Sequence, residues 1–254
     1  MTSSLLDSFR MDGRVAVVTG SGRGIGAGIA LGFADAGAHV VLTARRESDL
    51  AEVAAEVMAR GVECLVVPGD IHTSVPTIVA RTVERFGRLD TWVSNAGGSE
   101  YKGNFTLLDM PEEHWDAQLD LNLKTHFLAV KHAVPVMQPG SCLIGIASTA
   151  ALGPALRYGA YGAAKAGMIN MAKTLSIELG PRSIRANTVS PGIVPTESLT
   201  LIGGVDDAGL ESMRRTVPLG RLGTPADVAA ACLLLASDAG SWITGQNIVV
   251  SGGR

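Results

Sequence analysis

The sequence predicts an α/β fold, a three-layer doubly wound parallel sheet in one domain over residues 1–254, and three observations carry that prediction. Short β-branched runs alternate with longer helical runs from Arg14 onward. The short runs are apolar almost throughout, as strands covered on both faces must be. Finally, 254 residues suit one α/β domain able to bury a core without metal or disulfide.

The elements follow in order. Residues 15–19 form the first expected strand, a β-branched run ending at a cluster of glycines, with a helix after it over 25–36. A second strand over 39–43 leads to a helix over 48–60, a third over 62–67 to a helix over 74–86, and a fourth over 89–94 to one long helix over 112–137. Strands over 142–147 and 184–190 bracket a helix over 158–179, and a helix over 225–236 precedes the last strand, 247–250. Strict strand-then-helix order selects a parallel sheet with helices on both faces, and such sheets bind ligands at their strands' carboxyl ends. One stretch breaks the rhythm. Residues 191–222 have no expected strand and mix Pro, Gly and Thr with Leu and Met, the composition of a substrate lid inserted within the domain.

Composition narrows the functional classes. Glycine supplies 31 residues, about 12% against a usual value of about 7%, so many positions need tight turns or close backbone approach. The 21 Lys and Arg against 24 Asp and Glu leave a net charge of −3 without like-charge runs, which argues against nucleic acid or an anionic membrane as partner. Cys64, Cys142 and Cys232 are widely spaced and odd in number, fitting a reduced cytoplasm and no metal site. Residues 1–15 lack the apolar segment of a secretory signal. The uncharged stretch 132–156 is cut by Pro135, Pro139, Gly140, Gly145, Gly153 and Pro154, so it reads as loops and a strand rather than a membrane span.

The first strand runs into Thr19, Gly20, Ser21, Gly22, Arg23, Gly24, Ile25 and Gly26, then a helix. Glycines at that junction let main-chain N–H groups and a helix N-terminus approach a pyrophosphate. A second strand ending about 20 residues later is where a ribose reader stands. There the sequence has Ala44, Arg45 and Arg46 in place of the carboxylate that an NAD site uses. Guanidinium groups match a 2′-phosphate, so NADP is expected over NAD, with Arg45 as the main contact and Arg23 as a second cation. The alternative is that one or both of Arg45 and Arg46 merely open the next helix.

Tyr161 and Lys165 stand four apart at the start of a helical run, which puts phenol and ammonium on one face. A nearby cation lowers a phenol's pKa by about 1 to 3 units, making Tyr161 an expected proton donor. Ser148, at the end of a strand, and Asn122, in the long helix before it, fall toward the same sheet edge.

With those residues assembled, the chain resembles the short-chain dehydrogenase/reductase superfamily in its compact single-domain branch, from about Asp12 to Gly253. The marks are the Thr19 to Gly26 segment, Asn95-Ala96-Gly97, Asn122, Ser148, Tyr161 with Lys165, Pro191-Gly192, and Gly245-Gln246. The resemblance implies a Rossmann fold with a seven-stranded sheet, an Asn122, Ser148, Tyr161 and Lys165 tetrad, and hydride transfer between a nicotinamide and a ketone or secondary alcohol. In that scheme Asn122 holds a water that links Lys165 to solvent. It also implies that Asp70 and Ile71 lie near the adenine, Asn95, Ala96 and Gly97 near the adenosine ribose, and Pro191, Gly192, Ile193 and Thr196 near the nicotinamide. N-capping is the other expectation for Asp70 and Thr196. Two positions depart from the family pattern: Ser94 stands where a second asparagine is usual, and Ser251 where an aspartate is usual.

Local similarity to bacterial hydroxysteroid dehydrogenases and to 3-oxoacyl-carrier-protein reductases implies an apolar small-molecule carbonyl or alcohol substrate. Leu199, Leu201, Ile202, Val205, Leu210 and Met213 of the lid, with Ala150, Leu152 and Pro154, are the expected lining, and Arg157, Arg214 and Arg215 the cations available to an acidic carrier. The alternative reading is a dinucleotide sensor or scaffold without catalysis. Related proteins are commonly tetramers, so a cytoplasmic homotetramer built on the two long helices and the last strand is expected, with Trp242 either in that contact or in the core.

Overall fold

A computed structural model describes residues 4–98, 105–196 and 204–253; Leu199, Leu201 and Ile202 lie outside them. In chain order its elements are β1 (Val15–Thr19), α1 (Gly24–Asp35), β2 (His39–Thr43), α2 (Glu47–Met58), β3 (Cys64–Val66), α3 (Ile71–Phe86), β4 (Thr91–Ser94), α4 (Glu112–Leu119), α5 (Thr125–Ala133), β5 (Cys142–Ile146), α6 (Gly159–Leu179), β6 (Arg185–Pro191), α7 (Asp207–Arg215), α8 (Pro225–Ala236) and β7 (Asn247–Val250). The strands form one seven-stranded parallel sheet in the order β3-β2-β1-β4-β5-β6-β7. Strand order reverses between β1 and β4, which opens a crevice at the carboxyl edge where a doubly wound fold binds its ligand.

Alternation along the strands divides the core. Ala16, Val18, Val40 and Leu42 face one apolar cluster with α1, α2 and α8, while Val15, Val17 and Val41 face another with α3, α5 and α6. Helices α1 and α8 approach closely because small residues meet there. A Cβ at Gly28 would lie 2.4 Å from that of Pro225, and one at Gly32 would lie 3.1 Å from that of Ala229.

Four expectations need correction. The third helix begins at Ile71 rather than residue 74, since the Asp70 carboxylate accepts a hydrogen bond from the His72 N–H at 2.9 Å and caps it. The single helix expected over 112–137 is instead α4, a π-helical turn at Asp120–Lys124, α5 and a 3₁₀ turn at Val134–Val136 that contains Pro135. The stretch 191–222 contains the last residue of β6 and helix α7. Trp242 is 98% exposed and belongs to no core. Among the described residues no helix is long and apolar enough to cross a membrane, and no cluster of His, Cys, Asp and Glu is placed to hold a metal.

The unusual Ser94 has a structural explanation in this fold. Trp92 is buried in β4, and its indole N–H donates to the Ser94 hydroxyl at 3.1 Å. Ser94→Ala strands that donor, so it should cost about 1 to 3 kcal/mol in denaturant unfolding. In a Trp92→Phe background, which removes the donor, the same change should cost much less.

Candidate active site

The first turns of α6 are built from small residues, Gly159, Ala160, Gly162, Ala163 and Ala164, with Tyr161 among them. That composition lets the helix press against the loop after β5, since a Cβ at Gly162 would lie 2.7 Å from the Ala150 carbonyl oxygen. Tyr161 thereby comes beside Ser148, whose hydroxyl favours the phenolate. Ser148 also accepts from the Ala150 N–H at 3.1 Å, which orients its hydroxyl. The Tyr158 ring meets that of Tyr161 edge-on, with centroids 6.3 Å apart.

Lys165 lies one turn beyond Tyr161 and is 3% exposed. Its Nζ donates to the Ile146 carbonyl at 2.8 Å and stands 5.7 Å from the Tyr161 ring centroid. Burial disfavours the ammonium and lowers its pKa to about 8. The expected depression of Tyr161 by Lys165 is not what this structure holds. Burial raises the phenol above its ordinary value, the Ser148 hydrogen bond opposes that rise, and Tyr158 adds to it. The ammonium is bonded to a main-chain carbonyl and faces the ring, so Ser148 is the group that favours the phenolate.

Asn122 is buried in the π-helical turn. Its Nδ2 donates to Gly98 O at 3.1 Å and to Gln118 O and Oε1 at 3.1 and 3.0 Å, while Oδ1 accepts from Gly98 N at 3.0 Å. This side chain therefore clamps the loop after β4. A Cβ at Gly97 would lie 2.6 Å from Asn122 Oδ1 and 3.4 Å from Lys165 Nζ, so glycine clearance is what brings that loop over the lysine. All four tetrad residues gather at one edge of the sheet.

The residues expected around a dinucleotide divide by what their side chains do. Gly26 is held so closely that a Cβ would sit 2.2 Å from Gly20 O, and Gly24 has φ +57° with the Thr196 methyl 3.0 Å from a would-be Cβ. Thr196 thus approaches the glycine turn from the far side, and Arg23 is the N-cap position of α1. Ile25 packs on the core, and Ser21 is turned inward, accepting from Thr43 N at 2.9 Å. Asn95 donates through Nδ2 to Thr19 O and Gly20 O at 2.8 and 3.1 Å, while its N–H and that of Ala96 donate to Thr19 Oγ1 at 3.0 and 2.9 Å. Pro191 closes β6, Gly192 N donates to Val250 O at 2.9 Å, and a Cβ at Gly192 would lie 2.9 Å from Ser251 Cα. The Ile193 carbonyl accepts from Gly223 N at 2.9 Å and fixes the far end of the 191–222 segment. Asp70 and Ile71 follow β3, with Gly69 N bonded to Ala44 O at 3.0 Å.

Ala44 lies against the glycine turn, its Cβ 3.6 Å from a would-be Cβ at Gly22. Of the arginines after it, Arg46 pairs with Asp49 at 2.7 Å and opens α2, as the alternative reading had it, and both Arg45 and Arg46 are exposed. Sequence reasoning took Thr19 only as the start of the glycine segment, whereas it ties β1 to the loop after β4, and it missed Gln118, whose placement four residues before Asn122 was the available signal.

A main-chain cradle at a helix N-terminus, without a carboxylate at residue 44, fits a dinucleotide, and the tetrad lies on the same edge. Comparison with known proteins agrees. A family model described as enoyl-(acyl carrier protein) reductase matches residues 20–254. Dehydrogenase/reductase SDR family member 4 of Pongo abelii is 37% identical over 94% of this chain and 87% of its own length. The structure of 7α-hydroxysteroid dehydrogenase complexed with NADH and 7-oxoglycochenodeoxycholic acid superposes with a TM-score of 0.90 at 31% identity, covering 100% of this chain and 98% of the other. The RhlG/NADP active-site complex of Pseudomonas aeruginosa does so with a TM-score of 0.88 at 32% identity, covering 97% and 98%. With the sheet order, the glycine turn and the gathered tetrad in place, the chain belongs to the short-chain dehydrogenase/reductase family and is an NAD(P)-dependent oxidoreductase.

Proposed function

We propose that this enzyme interconverts a ketone and a secondary alcohol with NADP(H), using Tyr161 as general acid and base. One observation carries the reading: the Tyr161 phenol, beside Ser148, has the buried Lys165 ammonium 5.7 Å from its ring, at the edge that also bears the glycine turn. The nicotinamide, when bound, supplies or accepts the hydride. In reduction, Ser148 hydrogen-bonds the substrate oxygen as charge develops there, and Tyr161 gives it a proton. Lys165 supplies a positive charge beneath the phenol and contacts for the nicotinamide ribose. Asn122 spends its side chain on Gly98 and Gln118, so any water it holds is held by its main chain. A sensor or scaffold has no use for a lysine buried below a phenol that has a serine beside it, which favours catalysis.

Ala44 and Arg45 support NADP over NAD, because the ribose position lacks a carboxylate and has a guanidinium next to it. Residues 191–222 serve as the lid, with Val205, Leu210 and Met213 on its described part. Leu152, Leu156 and Tyr158 are exposed on the loop between Ser148 and Tyr161 and offer an apolar rim, which favours a hydroxysteroid-like or 3-oxoacyl-like substrate. The similarity to the 7α-hydroxysteroid dehydrogenase supports the former. Arg214 and Arg215 both engage Glu211, at 2.6 and 3.0 Å, which weakens their claim on an acidic carrier. Exposed Phe127 on α5, Ile177 on α6, and Trp242 and Val249 near the last strand support a homotetramer.

Three outcomes are expected. Tyr161→Phe should lower turnover of ketone substrates about 10²- to 10⁴-fold while the NADPH dissociation constant stays near the wild-type value; retained turnover would remove Tyr161 from the proton step. Arg45→Ala should weaken NADPH about ten-fold or more, the size of one lost charge-assisted contact, and leave NADH unchanged in titration calorimetry. Light scattering at working concentration should give the mass of four chains, and a monomer would refute the tetramer.

A further inference from the structure

A carboxylate does reach the glycine turn near the end of β2, although residue 44 supplies none. Asp49 stands in the first turn of α2, and its Cβ lies 2.8 Å from the position that a Cβ would take at Gly22. The Cβ of Ala44 lies 3.6 Å from that same position. Glycine at 22 and alanine at 44 thus leave the space into which α2 advances Asp49. Since β2 ends at Thr43, this is the part of a doubly wound fold where a ribose-reading carboxylate stands. Arg46 covers the carboxylate, with Nε and Nη2 at 2.9 and 2.7 Å from Asp49 Oδ2. A guanidinium has five N–H donors in a fixed fork, so one edge can hold Asp49 while another meets a second anion. With side chains 61% and 25% exposed, the pair adds little to stability. Its consequence is local charge: the pair is neutral at a place where a bare carboxylate would repel a phosphate.

We propose that Asp49 is a specificity-determining residue for the cofactor, a carboxylate masked by Arg46, and that the masked pair is what admits the 2′-phosphate of NADP. The inference rests on the NADP reading and deepens it. With Arg46 in place, Asp49 is neutralised and the remaining guanidinium donors serve the phosphate together with Arg45. Without Arg46, the same carboxylate stands bare beside Gly22 and Ala44. It then repels a 2′-phosphate and accepts a hydrogen bond from a 2′-hydroxyl, as the carboxylate of an NAD site does. Loss of Arg46 therefore acts on the two dinucleotides with opposite sign, and the size of its effect depends on Asp49.

Titration calorimetry of NADPH and NADH tests this without any substrate, using wild type, Arg46→Ala, Asp49→Ala and the double variant. Alanine at 49 keeps the Cβ that packs on Gly22. Arg46→Ala should weaken NADPH about 100-fold, about ten-fold for the lost donors and about ten-fold for the bare carboxylate, and should tighten NADH about three-fold or more. Adding Asp49→Ala should recover about ten-fold of the NADPH loss and abolish the NADH gain. Asp49→Ala alone should leave NADH unchanged and NADPH as tight as in wild type or tighter. Equal NADPH losses in Arg46→Ala and the double variant overturn the proposal. So does parallel weakening of both dinucleotides, the mark of residues that only prop the glycine turn. If Asp49→Ala does not fold, Asp49→Asn removes the charge at constant size and must give the same NADPH recovery. A wild type that binds NADH more tightly than NADPH refutes the NADP reading, and Asp49 is then judged by the NADPH recovery alone. A wild type that binds neither dinucleotide overturns both.

Discussion

Lys165 sets the conditions that the rest of the site must meet, because its ammonium is held at the sheet edge with 3% exposure and a main-chain carbonyl as its described partner. An amine in that position gains one hydrogen bond and loses most of its hydration, and that burial lowers its pKa. Such a placement demands close packing around it. The small residues of the first turns of α6, the contact of Gly162 with Ala150 O, and the approach of Gly97 to Nζ are the means by which the fold supplies it. The same packing joins Ser148 to Tyr161. A larger residue at Gly162 or Gly97 would disturb the lysine and the phenol together.

The nucleotide side is organised on a related principle with different atoms. There the requirement is clearance, and the main chain is fixed by side chains that spend their hydrogen bonds inward. Thr19 Oγ1 receives the N–H groups of Asn95 and Ala96, and Asn95 Nδ2 returns to Thr19 O and Gly20 O, locking the glycine turn of β1 to the loop after β4. Ser21 does the same toward β2. Residues that look in sequence like ligand contacts thus act first as builders of a rigid cradle, and what faces the crevice is largely main chain.

Much of this was legible beforehand, for identifiable reasons. The seven strands and most helices follow from β-branched runs and helical spacing, and their observed limits differ by a few residues. Glycines at 20, 22, 24 and 26 pointed to a cradle because only glycine tolerates the approaches seen there. The long helix over 112–137 was misread because its residues are all acceptable in a helix, and the π-helical turn that carries Asn122 has no local composition of its own. The usual aspartate is absent at Ser251, and the chain instead brings Ser251 against Gly192.

The sequence by itself determined the alternation of strand and helix, the glycine turn, the absence of a carboxylate at residue 44, and the four-residue spacing of Tyr161 and Lys165. All of these are readable because they depend on side-chain type and on spacing between near neighbours. Only the tertiary structure decided that Tyr161 is pushed up and not down, that Arg46 pairs with Asp49, and that Ser94 serves the Trp92 indole. Those outcomes come from desolvation and from groups placed together by packing, and burial is set by what the whole chain lays over a residue, which no local pattern records.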